Sequence, residues 1–130
     1  NDGINAKKII DFGLGLGLHS ELILLLPAYS RIAGVNRNEV ILLVEKLLKQ
    51  DMANHFLHFS MGELCFDQKL WGKAIANYEF VISATQVSEE LKVFSHFRLF
   101  HIYEQIENNQ QSNQHQKILI ELLANKIHHE

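Results

Sequence analysis

A single proline and seven glycines are all that 130 residues offer in the way of strong turn formers. Sandwiches and barrels built from many short strands need turn residues about every 8–12 positions, so this shortage excludes them and points to long helices. With 47% hydrophobic and 21% charged residues, the chain has enough apolar material for a core. Its length suits one domain, residues 1–130. Twelve Lys and Arg against 15 Asp and Glu leave a net charge of -3, whereas nucleic-acid binders carry a cationic surplus. The lone Cys65 excludes an internal disulfide and a CxxC pair. The longest apolar runs, Leu22 to Tyr29 and Val40 to Val44, fall short of the about 20 residues that span a bilayer. The pattern opens at Asn1 in mid-helix, so the chain is expected to be a piece of a longer protein, with any anchor upstream.

Apolar periodicity gives seven helical segments. The first, NAKKIIDFGLGLG from Asn5, frays into Gly13, Gly15 and Gly17 and reads as the end of a preceding helix, residues 1–19. Those glycines depart from the GxGxxG fingerprint and are followed by helices, so they read as a helix terminus and not a phosphate loop. Ser20 is the expected N-cap of ELILLLPAYSRIA, which Pro27 should kink and Gly34 should end. Asn36 or Asn38 caps EVILLVEKLLKQ, apolar over more than one stripe and so expected to be covered on two sides. Asn54 starts HFLHFSMGELCFDQ, and AIANYEFVIS follows a break at Lys69 to Gly72. Ser88 starts EELKVFSHFRLFHIYEQIE, and the polar run Asn108 to Gln114 reads as a loop before HQKILIELLANKI.

Six of these segments pair as hairpins, which invites a test for a fixed repeat. The tetratricopeptide (TPR) pattern places small residues at positions 8 and 20 and an aromatic at 24, where two helices cross closely. Gly62, Ala74 and Tyr78 match, with spacings of 12 and 4. Ala28 lies one TPR repeat length upstream of Gly62, with Val40, Val44 and Leu47 in the second helix of that copy. In a looser third copy, Phe100 follows Gly62 by slightly more than one repeat length, with Tyr103, Ser112 and Leu119 after it. The expected fold is all-α: a right-handed solenoid of about three TPR-like hairpins, residues 21–54, 55–88 and 89–127, after one preceding helix.

Four elements, AYSRI at Ala28 to Ile32, LLKQDM at Leu47 to Met52, MGELC at Met61 to Cys65 and LWGKA at Leu70 to Ala74, occur in the order typical of one family. On them the chain resembles the HemY-type tetratricopeptide proteins encoded with haem-biosynthesis genes in proteobacteria. Met52 and Ser30 depart from the family's usual proline and glycine. The resemblance implies the C-terminal region of a protein held in the inner membrane of a Gram-negative bacterium by N-terminal helices, with the repeats facing the cytoplasm. It implies a scaffold for tetrapyrrole enzymes and no catalytic residues.

In TPR arrays the inner face of each first helix lines a groove. The residues expected there are Leu22, Leu25, Tyr29 and Ile32 in the first copy and Phe56, Phe59, Glu63 and Phe66 in the second. Phe94, Phe97, His101 and Glu104 follow in the third. A groove so rich in apolar and aromatic side chains suits an amphipathic helix of a protein partner. Burial of the same aromatics within the array or in a homodimer is the competing account. Trp71, at an inter-helix turn, reads as packing. Glu63 and Asp67, one helical turn apart, read as a solvated face, and no paired acids, nucleophile with base or metal set converge, so no enzyme activity and no cofactor are expected. Eight histidines, His55 and His58 among them, raise a haem or porphyrin carrier as the alternative, although none sits in a zinc or haem signature.

Overall fold

A computed structural model describes residues 19–129, and the glycine-bearing first segment lies outside them. Six helices and no strand occur among the described residues: α1 His19–Ser30, α2 Arg37–Gln50, α3 His55–Asp67, α4 Trp71–Ser83, α5 Glu89–Gln105 and α6 Asn109–His129. The all-α expectation holds. Short polar residues set most starts, each satisfying an N–H that has no partner in the first turn. Asn36 Oδ1 accepts from the Asn38 N–H at 3.0 Å, and Asn54 Oδ1 accepts from Phe56 and Leu57 at 2.9 and 3.2 Å. Ser88 Oγ accepts from Leu91 at 3.2 Å.

Several local expectations are corrected. Ser20 lies inside α1, so it is not the cap. In the polar run Asn108 to Gln114, Asn108 caps the helix and the rest is helix rather than loop: Asn108 Oδ1 accepts from the Gln111 N–H at 3.2 Å, and Ser112 is buried. The break after α3 is shorter than expected, with Trp71 already helical and half-buried, its ring edge-on to Phe66 at 5.6 Å. Helix α2 is covered on one side only: Val40 and Val44 are buried while Leu42 is 63% exposed.

Helix α3 is the hub, packing on α1, α2 and α4; α4 packs on α5, and α5 on α6. Leu26, Val44, Leu64, Tyr78, Val81, Leu99 and Ile102 form the fully buried centre. Gly62 does what the spacing requires of it. A Cβ there would stand 2.9 Å from Tyr78 Cε1, so α3 reaches the buried Tyr78 ring only because that atom is absent. Ala74 is likewise fully buried. Upstream the match is partial. Ala28, the counterpart of Gly62, is exposed, since α1 lies against α3 and touches α2 only sparingly.

The last two hairpins share one turn. After α3, Lys69 adopts φ 59° and the Leu70 N–H reaches back to the Cys65 carbonyl at 2.9 Å. After α5, Glu107 adopts φ 61° and the Asn108 N–H reaches the Tyr103 carbonyl at 2.8 Å. Cys65, Lys69 and Leu70 thus recur as Tyr103, Glu107 and Asn108 at one constant interval, the same step as from Gly62 to Phe100. Both are left-handed helix ends in which a backward hydrogen bond satisfies a terminal carbonyl.

Pro27 has its own structural answer. A proline in mid-helix cannot donate to the carbonyl four residues earlier, here that of Ile23. The buried Ser60 hydroxyl of α3 donates to that carbonyl at 2.6 Å, and Ser30 Oγ donates to the Pro27 carbonyl at 2.6 Å. Ser60→Ala should therefore cost about 2 kcal/mol by orphaning a buried carbonyl. In a Pro27→Ala background the new N–H takes over, and the cost of Ser60→Ala should fall to a fraction of that. Urea unfolding of the four proteins measures the coupling; equal costs in both backgrounds would refute the pairing.

Candidate functional site

Helices α1, α3 and α5 line up along one face, joined by long side chains. Its centre is Glu63, only 4% exposed, which overturns the reading of Glu63 and Asp67 as a solvated pair. A buried carboxylate is tolerable only when its charge and lone pairs are answered. Tyr78 donates its hydroxyl to Glu63 Oε2, and Arg98 of α5 donates from Nε to Oε2 at 2.8 Å and from a terminal nitrogen to Oε1 at 3.2 Å. Arg31, just past α1, stands 3.5 Å from Glu63 Oε1 and forks onto Asp67 at 2.7 and 3.2 Å. Burial, then the Glu63 charge, pushes the Tyr78 phenol far up, so it stays a donor. The hydrogen bond to Asp67 raises Arg31 above its ordinary value. Two acids and two bases thus neutralise each other across three helices and the α4 tyrosine.

Aromatic rings frame this network. The Arg98 guanidinium lies over Phe66 at 4.3 Å and over Phe94 at 5.0 Å, and Phe59 meets Phe94 edge-on at 5.7 Å. Beside it opens a cleft of ≈ 360 Å³ lined by Leu24, Phe59, Glu63, Ser88, Glu90, Leu91 and Phe94. Leu24, Phe59 and Phe94 stand at equal intervals in the sequence, one from each aligned helix.

Of the residues expected in the groove, Phe59 and Glu63 are buried beneath the face. Leu22, Tyr29, Phe56 and Phe66 are half-buried, and Ile32, His101 and Glu104 are exposed. Leu25, Phe94 and Phe97 present the large open apolar surface at 53%, 43% and 51% exposure. Leu24 lines the cleft where Leu22 and Leu25 were expected, and Arg31, Arg98, Ser88, Glu90 and Leu91 were missed. The missing signal was a charge partner: Arg98 follows Glu63 by the same interval that separates the cleft's apolar members.

The histidines of α3 are spoken for. His58 engages the Met52 carbonyl through Nε2 at 2.8 Å and Asn77 Oδ1 through Nδ1 at 2.9 Å, and its ring stacks on Phe80 at 3.7 Å. His55 packs against Phe56, and on α5 His96 pairs with His115 of α6. Cys65 is buried, and burial raises its thiol. Among the described residues, no group of three or more His, Cys, Asp or Glu side chains is placed to hold a metal ion, and no helix is long and apolar enough to cross a membrane. Compared with known protein families, curated proteins and solved structures, the chain matches none.

Proposed function

We propose that the chain is a non-catalytic TPR-type interaction module that holds an amphipathic helix of a protein partner against the α1, α3 and α5 face. The observation that carries this reading is the cleft walled by Leu24, Phe59, Leu91 and Phe94, with exposed Phe97 one turn beyond Phe94 on α5. Apolar surface of this kind, rimmed by charge, is what helix-in-groove recognition uses. The close approach at Gly62 and the turn that recurs after α3 and α5 support a TPR-like array. The more specific reading, a scaffold for tetrapyrrole-pathway enzymes at the bacterial inner membrane, rests on the HemY-type motifs alone.

Phe59 belongs to the core, so Phe94 and Phe97 are the residues to test. A photo-crosslinking residue at position 97 in the full-length protein in its own cells should trap one predominant protein partner. Phe94→Ser should abolish the adduct while leaving the melting temperature within a few degrees. No adduct from position 97, or an equal one from exposed Leu42 on α2, would sink the reading. An adduct between two copies of the chain would replace it with homodimerisation.

A further inference from the structure

The contact between α5 and α6 contains a feature that the docking face does not use. His96 and His115, both almost fully buried, face each other with their Nδ1 atoms 2.8 Å apart. The His115 ring stacks on Tyr103 at 5.6 Å, nearly parallel, and Tyr103 donates its hydroxyl to Glu79 of α4 at 3.2 Å. A 2.8 Å contact between two imidazole nitrogens requires one to donate and the other to accept. A first added proton can sit on the distal nitrogen of the donor ring and leave this bond intact. A second proton turns the acceptor into a donor, and two N–H groups then confront each other inside the junction.

We propose that the His96–His115 pair makes the seating of α6 on α5 an acid-releasable junction. Helix α6 is the end element of the described fold and packs mainly on α5. Among the described residues, α6 is also tied to α5 by Lys126 and Glu90, at 3.5 Å and exposed, a contact that salt screens. The groups around the pair act in opposite senses. Burial, His115 and Lys92 push His96 down to about 4, while burial lowers His115 and the Glu79 carboxylate partly offsets it. Released rings return to the ordinary value of 6.5, so the undocked form takes up protons first. Docking is therefore fully supported above 6.5, and that support is lost progressively as pH falls towards 4. Release would carry buried Leu119 into solvent beside the already exposed Ile120, Leu123 and Ile127, freeing an amphipathic helix.

Hydrogen exchange of the intact chain, corrected for the intrinsic pH dependence of exchange, tests this between about pH 7 and about pH 5. The expected result is a loss of protection in residues 109–127 at least about tenfold greater than in α3 and α4. H96Q/H115Q, which cannot take up the protons, should hold the change to about threefold or less. Should that variant fail to fold, proton NMR titration of the wild-type rings decides. Both must titrate below the ordinary value of 6.5; ordinary titration of the pair, or loss of protection in α6 in step with α3 and α4, overturns the proposal.

Discussion

Glu63→Ala should cost about 3–5 kcal/mol, a large share of the stability of a domain this size, and should leave much of the chain unfolded at room temperature. The carboxylate accepts from Tyr78 and Arg98 and stands 3.5 Å from Arg31, so its removal strands a phenol and a guanidinium at the meeting point of α3, α4 and α5. The alternative to hydrogen bonding at that depth is desolvation without compensation. The same reasoning gives a second expected result. Replacing the three linked members together, Glu63→Leu with Arg98→Leu and Tyr78→Phe, should recover most of the loss, because apolar packing of similar volume stabilises about as well as a buried ion pair. Chemical denaturation of both variants checks this. A single Glu63→Ala within about 1 kcal/mol of wild type would show the network to be solvated.

Gly62→Val should cost about 3 kcal/mol. The first added carbon already falls 2.9–3.1 Å from three atoms of the Tyr78 ring, and that ring is fully buried, so it has nowhere to move. Gly72→Ala is the matched opposite. A Cβ at Gly72, in the first turn of α4, meets nothing within 4 Å, so alanine there should stabilise by about 0.5–1 kcal/mol through helix propensity alone. Thermal unfolding that moved the same way for both substitutions would refute the close approach.

The helices and most of their caps were legible in the sequence, because capping chemistry and apolar period are local. Gly62, Ala74 and Tyr78 were legible for a different reason: a close crossing of two helices needs a small residue opposite a large one at fixed spacing. What escaped was whatever depends on a distant partner. Glu63 looks like any surface acid until Arg98, far along the chain on α5, is brought beside it. The run Asn108 to Gln114 looks like a loop, since its polarity hides that Ser112 and His115 point into the α5 junction. Leu24 was displaced by its neighbours because α1 leans on α3 instead of crossing α2 closely, and a one-residue change of face leaves the hydrophobic count of a leucine-rich helix unchanged.

That leucine-rich helix would be free to dock in many ways if apolar contact alone held it. A greasy cylinder shifted by one turn along a greasy groove loses little, and α1 carries Leu22, Leu24, Leu25 and Leu26 in near succession. Pro27 removes that freedom. By silencing one N–H it leaves a single wanting carbonyl, at Ile23, and the Ser60 hydroxyl can reach that carbonyl in one alignment only. Any slip would bury both groups unanswered. The proline works as an index mark, fixing the phase of α1 against α3 and so setting which leucine faces the cleft.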